Sequence, residues 1–315
     1  MPENKHENTE DEEIEVRSGI RLIRSFFLPF SLYLELIKAR QTFLLVFTSF
    51  FAYLISAWPE IQVADSLWLL FSMFTAVSGS TLLNMFFDRE IDKKMERTKN
   101  RALPSGKVSA KTVVAHGIFL TSVGIITAGL FLNIIVMVLI FLGFFFNVVI
   151  YTIWLKRRTH FSIIFGGIGG GIPAITGRAV VTGNVDLIAV LLGVFVFAWI
   201  PLHFLTLALI PKNIEGYKAA GVPMWPVVRG KKETIIIITI SALISTGASI
   251  AISIVLKIHL ATLILTILLG TYFIIMSIWN LIKPTEKLTW RLFKQASIFM
   301  AGAFLLWFLG VVFST

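Results

Sequence analysis

The chain has no cysteine among its 315 residues. Disulfides, thiolate metal sites, cysteine nucleophiles and haem attached through thioethers are therefore excluded. Charge is scarce too. Only 15% of residues are Asp, Glu, Lys or Arg against 56% hydrophobic, too little polarity to cover the surface of a water-soluble domain. The N-terminal segment lacks the cationic start and apolar core of a signal peptide. It carries Glu3, Glu7, Glu10, Asp11, Glu12, Glu13 and Glu15 instead. Residues 1–30 are expected to form a disordered acidic tail ahead of a transmembrane domain at 31–315.

Long apolar runs dominate what is present. A membrane-spanning helix needs roughly 20 mostly apolar residues. Nine stretches qualify: Phe43–Ala57, Leu67–Phe87, Val113–Leu132, Ile134–Ile153, Ile163–Val181, Leu187–Ile210, Ile235–Val255, Leu260–Ile282 and Ala296–Phe313. The fold class expected is an all-α polytopic membrane protein. The first span is expected to begin near Tyr33, because Leu34, Ile37 and Leu44 continue its apolar stripe past Lys38 and Arg40. The third and fourth spans are joined by a tight connection at Asn133.

A net charge of +10 raises the question of nucleic acid, but the positions of the cations argue for a bilayer partner instead. They cluster in the tail and in alternate loops: Arg89–Lys111, Lys156–Arg158, Lys212–Lys232 and Lys283–Lys294. The opposite loops hold Arg178 and Lys257. The positive-inside rule then places the N-terminus and the basic loops in the cytoplasm and Thr315 outside, as an odd helix count requires.

After the tail, acidic residues concentrate where the second span ends. Asn84, Asp88 and Asp92 follow one another at intervals of four, so they stack on one helical face. Two carboxylates and an amide oxygen on one side suit Mg²⁺, which takes a few protein oxygens and is completed by water and substrate phosphates. A diphosphate is the natural ligand. Its departure from an allylic carbon needs charge stabilisation on the leaving group, with Arg97, Lys99 and Arg101 as further donors. The alternative is that the two Asp pair with Lys93, Lys94 or Arg89 in a solvated loop. Asn84 tilts the choice toward function, since an unpartnered amide inside an apolar span is costly.

At these residues the chain resembles the UbiA superfamily of intramembrane prenyltransferases, whose first motif is NxxxDxxxD after the second helix. The stretch DREIDKKMERTKNRALPSG looks like the haem O synthase branch, as do YTIWLKRRT at 151–159, GGGIPAITG at 169–177, and PLHFLTLA with AGVPMWPVVRG within 201–230. The resemblance spans roughly residues 35–310. It implies about nine helices around a central cavity, and a fold of two four-helix repeats plus one extra helix. It implies farnesyl diphosphate and haem B as substrates, Mg²⁺ as cofactor, haem O as product, and a place in the cytoplasmic membrane. Haem A synthase or terminal oxidase assembly are the candidate protein partners it suggests.

The second motif departs from the family pattern. The chain reads Lys212-Asn213-Ile214-Glu215-Gly216-Tyr217-Lys218, with Gly216 where an acid commonly precedes the tyrosine. Glu215 is the candidate second Mg²⁺ ligand, Asn213 the fallback, and Lys212, Tyr217 and Lys218 are candidate substrate contacts. His203 is an ionisable group at membrane depth, two residues after Pro201, and is either a haem contact or a histidine satisfied by a neighbouring helix. Asn147 and Tyr151 share a helical face leading to Lys156, Arg157 and Arg158, which hold diphosphate or propionates or serve as a topology signal. The glycines of the fifth span are read as close packing or ligand contact. Rival readings are a different prenyl acceptor, such as an aromatic quinone precursor or a glycerol lipid, and a membrane transporter.

Overall fold

The computed structural model describes residues 30–314, so the acidic tail before Phe30, with His6, and Thr315 lie outside the described residues. The elements are α1 (Phe30–Leu36), α2 (Ala39–Ala57), α3 (Val63–Lys94), α4 (Ala110–Phe131), α5 (Ile134–Phe144) with a π-helical continuation (Phe145–Leu155), α6 (Ser162–Thr182) and α7 (Leu187–Ala208). Two short helices, α8 (Pro211–Ala219) and α9 (Trp225–Val228), precede α10 (Gly230–Val255), α11 (Leu260–Ile282) and α12 (Glu286–Val312). Among the described residues there is no strand, and nine helices are long and apolar enough to cross a membrane, counting α5 with its continuation.

Local chemistry sets the boundaries. Asn133 accepts a hydrogen bond from Val136 N at 2.9 Å, capping α5, and its Nδ2 donates to the Ala179 carbonyl at 3.1 Å. Asp186 and Thr285 cap α7 and α12 in the same way. Gly183 ends α6 at φ 63°, a conformation that favours glycine. The continuous start expected for the first span is not found. The helix breaks at Lys38, which takes φ 47°, so the Lys38 side chain turns inward. α3 runs for 32 residues, about 48 Å at 1.5 Å per residue, and therefore overshoots the roughly 30 Å hydrocarbon layer. The Asn84, Asp88 and Asp92 ladder sits on its final turns.

Six helices, α2, α3, α5, α6, α7 and α12, surround a central cavity of about 670 Å³, while α4, α10 and α11 contribute nothing to its lining. One apolar cluster joins α7, α10, α11 and α12, through residues such as Phe195, Ile238, Phe273 and Trp307. A second joins α3 to α6, and α2 contributes to both through Ala52 and Tyr53. The first cluster also takes in Ile91 of α3 and Ile163 and Ala174 of α6, so the two share helices around the cavity. α2 reaches α6 closely because any Cβ at Gly177 would overlap the Ser49 carbonyl.

Candidate active site

The ladder lies at the polar end of the cavity. Asn84, Asp88 and Asp92 are 7%, 4% and 5% exposed, so none is a solvated loop residue. Each has its own cation or hydrogen-bond partner. Lys38 Nζ donates to Asn84 Oδ1 at 2.6 Å, Lys156 Nζ to Asp88 Oδ2 at 2.5 Å, and Arg101 Nη1 to Asp92 Oδ2 at 3.0 Å. Asp88 Oδ1 is buried and has no hydrogen-bond partner. A carboxylate oxygen orphaned beside a second carboxylate is the arrangement a hard cation satisfies, so the residues present fit Mg²⁺.

Lys156 reaches Asp88 because of the π-helix. In an α-helix of about 3.6 residues per turn, Asn147 and Lys156 would face roughly opposite ways. A π-helix, with i to i+5 bonding and about 4.4 residues per turn, returns them to one side. Lys156 N donates to the Tyr151 carbonyl at 2.8 Å in this pattern. On the same side, Thr152 Oγ1 donates to the Asn147 carbonyl at 2.7 Å and accepts from Asn84 Nδ2 at 2.7 Å. Asn147 Nδ2 donates to Ser80 Oγ at 2.9 Å. The π segment is thereby fastened to α3 by side chains. Gly166 permits this approach, since a Cβ there would lie 2.7 Å from the Tyr151 ring.

Burial lowers the Lys38 ammonium to about 8 although Asp88 opposes the shift. Burial would lower Lys156 as well, but the Asp88 carboxylate together with Tyr151 and Tyr217 outweighs it and holds that lysine above the usual range. Burial pushes the Tyr217 hydroxyl up, against the opposing charge of Arg97. Tyr217, Arg97, Arg101 and Tyr151 all line the cavity.

Other residues singled out from the sequence lie elsewhere. Lys99 is exposed and pairs with Glu96 at 2.7 Å. Arg157 donates to the Phe87 carbonyl at 2.7 Å and does not line the cavity. Lys212, Glu215 and Lys218 face outward on α8, with Glu215 and Lys218 3.8 Å apart. The structure does not bring Glu215 to the ladder. Asn213 is buried, but its Nδ2 donates to the Leu207 carbonyl at 2.7 Å and serves the turn. The apolar stripe Ile210, Ile214, Tyr217 could have shown this, because it turns Glu215 away. Lys38, Thr152 and Ser80 were not singled out. A lysine breaking an apolar stripe was the one available sign.

On the α7 wall of the cavity His203 stands between two rings. Trp199 stacks at 4.5 Å and 13°, Phe293 at 4.5 Å and 21°. The imidazole Nδ1 is buried and without a hydrogen-bond partner.

A buried Asn-Asp-Asp ladder among cations, at the mouth of an apolar intramembrane cavity, invites comparison with known proteins. Residues 45–311 match the UbiA prenyltransferase family. The chain belongs to this family. It is therefore a prenyltransferase, as curated relatives also indicate. The protoheme IX farnesyltransferase of Bartonella quintana is 38% identical over 206 residues, a match covering 64% of each chain. Protoheme IX farnesyltransferase 1 of Cenarchaeum symbiosum is 34% identical over 276 residues, covering 86% of this chain and 92% of that one. The enzyme of Pyrobaculum arsenaticum is also 34% identical, with 84% and 94% covered. Among solved structures, a digeranylgeranylglyceryl phosphate synthase superposes with TM-score 0.74 at 23% identity, covering 90% of this chain and 98% of that one. A UbiA homologue from Archaeoglobus fulgidus bound to DMAPP and Mg²⁺ gives TM-score 0.66 at 16% identity, covering 87% and 98%. At these identities the two structures establish the shared UbiA fold.

Proposed function

We propose that this prenyltransferase moves the farnesyl group of farnesyl diphosphate onto a vinyl group of haem B, giving haem O. The observation that carries the reading is the pairing of two features in one cavity. The buried ladder of Asn84, Asp88 and Asp92 marks the donor end, and the Trp199, His203 and Phe293 sandwich offers flat rings to a porphyrin. The relatives that match most of the chain's length carry the corresponding name.

Asn84, Asp88 and Asp92 would hold Mg²⁺, which when bound supplies positive charge to the departing diphosphate. Lys38, Arg97, Arg101 and Lys156 point their charge into the same end and receive the phosphate oxygens not facing the carboxylates. The apolar walls exclude water from the allylic cation left when the C–O bond breaks and its electron pair leaves with diphosphate. The vinyl terminal carbon of haem attacks that cation, and water adds to the carbon beside the pyrrole with loss of a proton. His203 orients the porphyrin. Under the positive-inside rule the ladder and the N-terminus would both lie at the cytoplasmic face of the cell membrane, a reading supported by the cations in the loops beside the ladder.

The test is to incubate purified protein with Mg²⁺, farnesyl diphosphate and haem B and to resolve products by mass. Haem O is expected. Unchanged haem B, with farnesyl transferred to an aromatic or glycerol-lipid acceptor instead, overturns the reading.

A further inference from the structure

The cavity is much deeper along one wall than along the others. On α2 its lining runs from Arg40 to Leu45, and on α7 from Leu207 back to Trp199, about 8 Å and 12 Å of helix at 1.5 Å per residue. On α3 it continues from Asp92 through Asp88 and Val77 to Met73, and on α6 from Ile163 to Thr176. The deep arm therefore lies between α3, α5 and α6. It ends on Met73, Ile140, Ile172 and Thr176, which are 3%, 5%, 6% and 0% exposed. Its floor is closed.

Resting on the donor site proposed above, we propose that this arm is a ruler for the prenyl tail, with Met73 as its stop. Asp88 and Met73 are 15 residues apart on the one helix α3, about 22 Å at 1.5 Å per residue. An extended chain advances roughly 1.2 Å per atom, a third of the residue advance of an extended polypeptide. Farnesyl diphosphate, roughly 16 chain atoms from the distal phosphorus to the tail, then spans about 19 Å. Geranylgeranyl diphosphate spans about 24 Å and exceeds the arm. Each isoprene unit adds about 5 Å, close to one helical turn of 5.4 Å. Residues one turn apart on this face therefore act one prenyl unit apart. Val77 lies one turn nearer the ladder than Met73 and also lines the arm.

The experiment measures binding, so it does not depend on the acceptor. Dissociation constants for geranyl, farnesyl and geranylgeranyl diphosphates are determined with Mg²⁺ for the parent, Met73→Ala and Val77→Phe in detergent. The parent is expected to bind farnesyl at least tenfold more tightly than geranylgeranyl diphosphate. Met73→Ala should remove that preference, and Val77→Phe should weaken farnesyl at least tenfold while sparing geranyl diphosphate. Should Met73→Ala fail to fold, Val77→Phe decides alone. Unchanged chain-length ratios in the folded variants overturn the ruler. Failure to form haem O with normal ratios overturns only the acceptor assignment.

Discussion

Lys156 Nζ lies 2.5 Å from Asp88 Oδ2, joining the end of the π-helical segment to the acidic ladder of α3. Both side chains are nearly enclosed, at 13% and 6% exposed. Lys156→Met leaves Asp88 buried with its nearest counter-charge gone, a loss of about 3–5 kcal/mol for a buried pair. The expected outcome is a lower unfolding temperature in metal-free detergent solution, largely restored by Mg²⁺ with diphosphate. Thermal scans with and without Mg²⁺ check it, and equal losses in both conditions would count against a shared cation site.

Lys38 is the second cation to test. It occupies the Asn84 oxygen on the ladder and faces the same cavity. Removing one charge-assisted contact costs about 1.5–3 kcal/mol, roughly 10- to 100-fold in affinity. Lys38→Met should raise KM for farnesyl diphosphate by that factor and leave KM for haem almost unchanged. Steady-state kinetics with each substrate varied separately give the answer.

Two glycines make a matched pair. A Cβ at Gly166 meets the Tyr151 ring at 2.7 Å, whereas a Cβ at Gly247 meets nothing within 4 Å. Gly166→Ala should push Tyr151 off its place, costing about 1–3 kcal/mol of stability and most of the turnover. Gly247→Ala should stabilise α10 by up to about 1 kcal/mol and leave turnover intact. Unfolding temperature and kcat of both variants are the readout.

Much of this was legible in the sequence, for identifiable reasons. Spans are read from length and apolarity, and those persist in any packing. The ladder is read from spacing on a helix, and α3 stays helical through Lys94. Three features depend on tertiary structure and were not legible. The break at Lys38 falls inside an apolar stripe that runs on past it. The π-helix changes which residues share a face without changing their identity, so Asn147 with Tyr151 was foreseen but the alignment of Lys156 and Thr152 was not. Glu215 was read by motif position, while the apolar side of α8 decided its orientation.

His203 separates the acceptor from the donor. Its ring is held between Trp199 and Phe293, on the wall of the cavity formed by α7 and α12. His203→Ala should weaken haem binding at least tenfold, the scale of a lost stacked and polar contact. Affinity for Mg²⁺ with farnesyl diphosphate should stay within about twofold, well under the 1.4 kcal/mol of a tenfold change. Haem titration by absorbance measures the first, and parental haem affinity in the variant would make the residue structural.

The central claim is that the buried carboxylates, and no others, hold the metal and diphosphate. Asp88 and Asp92 line the cavity, whereas Glu90, between them in sequence, is exposed and pairs with Lys93 at 3.1 Å. Mass-resolved haem O formation is measured for the parent, Asp88→Asn, Asp92→Asn and Glu90→Gln across a Mg²⁺ series. Each Asp variant should lose about 2–4 kcal/mol of transition-state stabilisation, roughly 30- to 1,000-fold in rate, compared on protein shown to be folded at the assay temperature. Glu90→Gln should stay within about twofold of the parent, as surface pairs contribute little. Full Mg²⁺-dependent activity in either Asp variant, or equal damage from Glu90→Gln, would contradict the account.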